Sequence, residues 1–477
     1  MSRFTIFAAL LALLLSFPLL AQDKPKPLPK DIPSLKALAE KGDAEAQFQL
    51  ADKYYYGEGI EKDRAQSFKW ASQSAAQNNP KAQYRLASLY RQGLGTAKDE
   101  DKAKTLFGKS KEGLMKLAEQ NDPQAQFQLG VIHALGAAVE KDEKEAFKWY
   151  RKAADQNYSR AQNNLGLMYG LGRGVEKDEK EAFKWYRKAA GQNVPRAQNS
   201  LGNMLAYGRG VEKDEKEALK WYHKAAEQNY PPAQFALGLR YANGQAVEKD
   251  EKKAAEWYRK AADQDYSKAQ NNLGVLHAYG RGVEKSEKEA AKWYLKAAEN
   301  NNAYGQNNYG NMLTNGRGVG KNEKDAAKWY RKAAEQNHPG GQNNLGDMYA
   351  TGRWLENDFK EAAKWYQKAA EQNNRKAQAN LASLYYFGQG VEKDIVTSYA
   401  WWSIAASNGD FEARRLKATF SKDMTRAQVT KAAALIKELQ KKIGGDLKAP
   451  SKPTLPSNPS SGPLKGESKA KSRKQGK

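Results

Sequence analysis

Few residues in this 477-residue chain are suited to covalent chemistry, and their spacing argues against it. The histidines are His133, His223, His277 and His338. No two have the spacing that brings a pair of imidazoles to one metal on a helix. His133 and His277 occupy a place held elsewhere by Tyr169 and Tyr241, so they are expected to pack in place of tyrosine. A Ser-x-x-Lys pair, the nucleophile and base spacing of β-lactam-cleaving serine enzymes, occurs at Ser468 and Lys471. It lies in a basic tail, without a Ser-Asp-Asn or Lys-Thr-Gly companion. Cysteine is absent, which removes disulfides, thiolate metal sites and cysteine nucleophiles. The carboxylates gather in runs such as Glu176 to Glu181, where helix capping and the helix dipole account for them. No catalytic set, metal site or cofactor is implied, and the chain is not expected to be an enzyme.

Residues suited to binding are more numerous. Gln162-Asn163, Gln198-Asn199, Gln270-Asn271, Gln306-Asn307 and Gln342-Asn343 recur in step. Amides both donate and accept, so a row of them could grip peptide backbone or glycan hydroxyls; the alternative is that they only solvate a helix. Phe127 and Phe235 stand where Asn163 stands elsewhere, and Trp354 stands at a glycine position. Apolar points on a polar surface are candidate hot spots for a partner.

The element that must position these residues is a repeat. Self-alignment at a shift of 36 residues places unit starts at Ala125, Ala161, Ala197, Ala233, Ala269, Gly305, Gly341 and Ala377. Ala46 and Ala82 begin two more divergent copies, the second with a seven-residue insertion. Within the unit from Ala161, the residues Ala161, Leu165, Met168 and Tyr169 have helical spacing and define a short amphipathic helix A. The amide pairs fall away from its predicted core face. Gly172 and Gly174 mark a turn. Asp178 and Glu181 have the spacing of a reciprocal capping box at the start of helix B. Ala182, Trp185, Tyr186, Ala189 and Ala190 form the buried stripe of that helix, with the recurrent Trp expected to dominate the core. Asn157, Asn193, Asn229, Asn301, Asn337 and Asn373 close the B helices in a residue type that tolerates the left-handed conformation.

The pattern Ala-x-x-x-Leu-Gly-x-x-Tyr-x-x-Gly-x-Gly-Val, followed by Lys-x-x-x-Ala-x-x-Trp-Tyr-x-Lys-Ala-Ala, resembles the Sel-1-like repeat, a relative of the tetratricopeptide repeat. The resemblance runs from about Leu35 to Leu439. It implies an all-α, right-handed α-solenoid whose concave face, lined by helix A, makes protein–protein contacts. Some relatives are linked to β-lactam turnover, which leaves a β-lactamase-like hydrolase as a remote alternative.

The ends differ in composition. Residues 1–21 have one positive charge, an apolar run from Phe4 to Leu20 and a small residue at Ala21, the make-up of a secretory signal peptide. Export is therefore expected, to the periplasm or beyond. Residues 22–34 read as a proline-rich linker, 35–416 as the solenoid, 417–443 as a capping helix, and 444–477 as a disordered basic tail. In the helix, Val429, Ala433, Ile436 and Leu439 give an apolar stripe. The net charge of +24 favours anionic partners, and export makes nucleic acid an unlikely one. The expected partners are proteins or peptides, with peptidoglycan or anionic envelope components as an alternative through the tail.

Overall fold

The computed structural model describes residues 28–29 and 31–446. The expected signal peptide, residues 22–27 and 30 of the expected linker and the tail beyond residue 446 lie outside the described residues, and residues 32–34 of that linker belong to the opening helix. All regular structure among the described residues is helical. An opening helix, Ile32–Glu40, precedes ten helix pairs. Repeat 1 comprises Ala44–Tyr56 and Arg64–Ala76, and repeat 4 comprises Ser159–Leu171 and Glu179–Gly191. Repeat 7 comprises Ser267–Tyr279 and Glu287–Glu299, and repeat 10 comprises Arg375–Phe387 and Ile395–Ser407. The insertion in repeat 2 lengthens its B helix, Glu100–Glu119, to 20 residues against 13 in repeat 3. The chain divides into two compact units, one ending at Gln192 and the other beginning at Asn193. Each is a stack of such pairs, so the fold is an α-solenoid.

Helix boundaries follow local chemistry. Each A helix of repeats 1–10 ends on a left-handed glycine, such as Gly172 at φ 67° and Gly280 at φ 67°. The B helices of repeats 1–9 end in left-handed Asn or Asp, such as Asn157 at 63° and Asp265 at 59°, and that of repeat 10 ends in Gly409 at 84°. At the B start only half of the expected capping box forms. Asp178 accepts from the Lys180 and Glu181 N–H groups at 2.8 and 3.0 Å. Its own N–H donates to the Tyr169 carbonyl instead, at 3.0 Å. That bond ties the end of helix A to the start of helix B and leaves Glu181 to pair with Lys184.

Packing within a pair depends on a glycine in helix A. A Cβ on Gly238 would lie 2.5 Å from the Tyr258 ring, and one on Gly166 would lie 2.8 Å from the Tyr186 ring. The missing side chain lets the ring lie flat on the A backbone. Tyrosine, more consistently than tryptophan, fills this interior. Tyr222 and Tyr258 are fully buried, and Tyr294, Tyr330 and Tyr366 nearly so. Trp149, Trp185 and Trp293 are buried, whereas Trp221, Trp257, Trp329 and Trp365 are half-buried. The tryptophans lie towards the outer side of helix B, where lysines stack on them, Lys188 over Trp185 and Lys260 over Trp257 each at 4.2 Å.

The last repeat is covered by Phe411–Phe420 and the C-terminal helix Arg426–Asp446. Thr425 and Gln428 form the reciprocal cap in full, Thr425 N–H to Gln428 Oε1 at 2.8 Å and Gln428 N–H to Thr425 Oγ1 at 3.2 Å. The buried stripe is rotated from the expected one. Ala432 and Ile443 are buried and Ile436 and Leu439 pack against the core, while Val429 and Ala433 are exposed.

Candidate functional site

The A helices carry the candidate residues, and their amides do two different jobs. The glutamines do not face solvent. Gln162, Gln198, Gln270, Gln306 and Gln342 are each no more than 2% exposed. The Nε2 groups of Gln162, Gln270, Gln306 and Gln342 reach back to the carbonyls of Ala154, Ala262, Ala298 and Ala334, the last turn of the preceding B helix. Their Oε1 atoms accept from the amide that closes the following B helix, Gln192 to Gln162 at 2.7 Å and Gln336 to Gln306 at 2.8 Å. Asn300 does the same for Gln270 at 3.0 Å, and Gln372 for Gln342 at 2.8 Å. Gln198 accepts from Gln228 at 2.8 Å. The expectation of an exposed glutamine row is thus corrected. These side chains are a buried spine that adds a second hydrogen bond to carbonyls already accepting a backbone N–H, as Ala154 does from Asn157, and that ties helix A to helix B of the repeat before it.

The asparagines one place further on form a second row. Asn163, Asn271, Asn307 and Asn343 are buried and Asn199 is half-buried. Asn271, Asn307 and Asn343 accept through Oδ1 from Asn308, Asn344 and Asn380 of the next A helix, at 3.0, 3.0 and 3.2 Å. These are bonds between short side chains, so successive A helices of the second unit must lie close together. The row is interrupted where Phe235 and Ala236 stand. Asn199 Oδ1 is buried there without a partner. Phe127 and Phe235 are half-buried and lie against tyrosines, Phe127 at 5.7 and 5.4 Å from Tyr150 and Tyr158, Phe235 at 5.6 and 5.4 Å from Tyr258 and Tyr266. They are packed rings rather than free hot spots. Trp354 is 62% exposed and held at a left-handed φ of 59°.

The available face of helix A is a different stripe, which the sequence reading missed. In repeat 4 it consists of Arg160, Asn164, Leu167 and Leu171, which are half-buried or exposed. Their spacing of four, three and four sets them on one side of the helix, about a quarter-turn round from the buried Ala161, Leu165 and Met168. Its last position holds large apolar residues with no cover: Leu135, Leu171, Tyr207 and Phe387 are 45, 53, 61 and 60% exposed. The repeat would have revealed this stripe if polar and apolar residues had been scored by column rather than by the recurrence of one motif.

Two places on this face carry charge. Asp347 receives Tyr366 Oη at 2.7 Å, Asn380 Nδ2 at 2.9 Å and Asn343 Nδ2 at 3.1 Å. Burial among neutral donors raises its pKa to about 6 despite these hydrogen bonds. Asn203 and Asn311 hold the same position in other repeats, each accepting from the matching tyrosine at 2.8 Å. In the first unit, Arg85 is buried on Asp52, Nε to Oδ1 at 2.6 Å, and reaches the Tyr56 hydroxyl at 2.9 Å. Burial pulls the Arg85 pKa down, but Asp52 and the tyrosines outweigh it and the guanidinium is held charged. Histidine chemistry is absent from this face in any concerted form. His277 is buried between Arg259 and the Glu284 carbonyl, and His338 caps a helix through Nδ1, accepting from the Gly341 N–H at 3.0 Å. No cluster of His, Asp or Glu suited to a metal occurs among the described residues.

Short paired helices, left-handed glycine turns and a spine between repeats define a tetratricopeptide-like solenoid. The Sel1 repeat model matches ten segments, residues 44–79, 80–113, 123–158 and then seven more without interruption from 159 to 410. The chain belongs to the Sel1 repeat family. It is similar to the crystal structure of a protective antigen from uropathogenic Escherichia coli strains displaying an SLR fold, at 33% identity and a TM-score of 0.61, over 89% of this chain and 91% of that one. A Sel1 repeat protein from Oxalobacter formigenes is 34% identical over 65% of this chain and 89% of its own, with a TM-score of 0.47. No curated protein matches the chain. Sel1 repeat proteins are generally protein-interaction scaffolds, and their solenoid is typically non-catalytic.

Proposed function

We propose that this protein is an exported scaffold that holds partner proteins on the exposed stripe of its A helices. The observation that carries the reading is that the last position of helix A exposes a large apolar residue in each unit, Leu135 and Leu171 in the first and Tyr207 and Phe387 in the second. Single exposed apolar residues are ordinary, but a series repeated at one helical position is the pattern of an interaction surface. Trp354 adds an exposed ring in a strained turn, and strain is tolerated most readily where a side chain is used. The amino-terminal apolar run supports export. So does the likeness to a protective antigen, a class of protein that the immune system meets. The alternative of glycan binding through the glutamines has lost its motive, because those amides are occupied inside the stack.

The test is photocrosslinking in the native cell. A photoreactive residue at Leu171 or Tyr207 should capture one or a few discrete proteins, and one at Lys184 on helix B should not. Equal capture from both faces, or none from either, would remove the scaffold reading. Fractionation of the same cells tests export, which would fail if the full-length precursor stayed with cytoplasmic markers.

A further inference from the structure

The first unit holds a cluster of charges with more guanidinium than carboxylate. Three guanidiniums lie on two adjacent tyrosines. Arg64 and Arg85 stand 3.9 and 4.1 Å from the Tyr55 ring, and Arg160 stands 3.4 Å from the Tyr56 ring. Only one buried carboxylate, Asp52, balances them, and Arg85 takes it. The like charge of Arg85 adds to burial in lowering the Arg64 pKa. Arg160 is the best-framed of the three. It is stacked on Tyr56, and its Nη1 donates to the Tyr158 hydroxyl at 3.3 Å. Its remaining partner is Glu58, at 2.5 Å from Nη2.

Glu58 is an unusual partner. It comes from the turn of repeat 1, three repeats back, and its side chain is 58% exposed while that of Arg160 is 23% exposed. The same turn position holds Arg173, Arg209, Arg281, Arg317 and Arg353 in later repeats, and no other copy places an acid there. An ion pair with so exposed an acid contributes on the order of 0–1 kcal/mol, so an outside carboxylate could replace it at little cost. The fixed guanidinium fork, by contrast, is suited to bidentate carboxylate recognition and has been prepaid its ordering by the tyrosines.

We infer that Arg160, stacked on Tyr56, is a receptor for a carboxylate of a partner polypeptide, and that Glu58 occupies it when no partner is bound. The inference rests on the scaffold reading, since Arg160 opens the exposed stripe that continues through Leu167 to Leu171. The excess of guanidinium over carboxylate in the cluster sets the sign of the ligand. The neighbouring apolar positions would take side chains beside the acid.

The experiment uses the purified full-length mature protein and a fluorescein-labelled tetraglutamate peptide with an amidated C-terminus, read by anisotropy at about 0.15 M salt so that long-range attraction to the basic tail is screened. Tetraglutamine amide is the control, and a tetraglycine peptide with a free C-terminus separates side-chain from terminal carboxylates. Glu58→Gln should tighten tetraglutamate or free-terminus binding by about twofold to fivefold, because the internal competitor is removed. Arg160→Lys, which keeps the charge but not the planar stack, should weaken it by about tenfold. Lys184→Met on helix B should leave it unchanged. Unchanged binding in Glu58→Gln, or equal losses in Arg160→Lys and Lys184→Met, would overturn the inference, as would binding of tetraglutamine as tight as that of the acids. Partner capture at Leu171 with no such discrimination would remove the carboxylate site and leave the scaffold. Discrimination without capture would do the reverse.

Discussion

Asp347 replaces an asparagine in a row of amides, and the exchange of one atom has a pH-dependent cost. Burial raises its pKa from the ordinary carboxylate range to about 6. A raised carboxylate pKa contributes stability fully below about pH 4, and that contribution is lost as pH rises through 6. Asp347→Asn should therefore raise stability by about 1–3 kcal/mol at pH 8 and by little at pH 4.5, measured by urea unfolding at both values. His338 runs the other way. Burial lowers its pKa from 6.5 to about 4, and its neutral Nδ1 is needed as a cap acceptor. Its contribution is complete above pH 6.5 and fades as pH falls towards 4, so His338→Asn, which keeps a cap acceptor without a titrating ring, should flatten the acid side of the stability profile. Trp354 bears a different strain. It holds a left-handed φ of 59° where the preceding repeat has Gly318 at 66°, a conformation that costs a residue with a Cβ about 1 kcal/mol relative to glycine. Trp354→Gly should raise thermal stability by about 1 kcal/mol. If it also abolishes partner capture, the exposed ring is the reason the strain is kept.

At the scale of the element, the decisive fit is between a glycine on helix A and a tyrosine on helix B. Gly238→Ala forces the Tyr258 ring off the helix backbone and should cost about 1–3 kcal/mol, read as a lower midpoint of unfolding. Tyr258→Ala should cost more than Trp257→Ala, because Tyr258 is fully buried and Trp257 is not. The reverse order would mean that the tryptophan column governs the core after all. The glutamine spine gives a third check. Gln270→Leu removes the bonds to the Ala262 carbonyl and from the Asn300 amide, and since the carbonyl keeps the Asp265 N–H the cost should be about 0.5–1.5 kcal/mol per bond lost.

Stacked repeats have two ends, and each needs a cover. The opening helix supplies Leu35 and Ala39 to the first core, and Leu35 is fully buried. The C-terminal helix lies over Trp401 and Trp402 with Phe420, whose ring stacks 5.4 Å from that of Trp402 and 4.1 Å from Tyr386. Truncation before Arg426 should expose this aromatic cluster. Increased binding of a hydrophobic dye and a separate, earlier unfolding step of the last repeats would be seen by calorimetry. A truncated chain that unfolds like the intact one would show that the last repeat is stable without its cover.

The period, the helix pairs and the left-handed turns were legible in the sequence because each depends on interactions within a few residues or on simple recurrence. Asn157 and Gly172 declare their conformations by residue type alone. Burial of the glutamines was not legible. Gln162 lies beside the core stripe of an isolated helix, and only the packing of helix B of its own repeat and of the repeat before it places Gln192 and the Ala154 carbonyl beside it and closes the spine. The same holds for the tryptophans, whose depth depends on how far each helix B is covered by its neighbour, and for the C-terminal stripe, which turned on a rotation that only the surface of repeat 10 could fix. The meeting of Arg160 with Glu58, about a hundred residues earlier, lay furthest from view. Local sequence sets the shape of each unit, but the accumulated angle between units decides which distant side chains meet, and that angle is a property of packed surfaces rather than of any one segment.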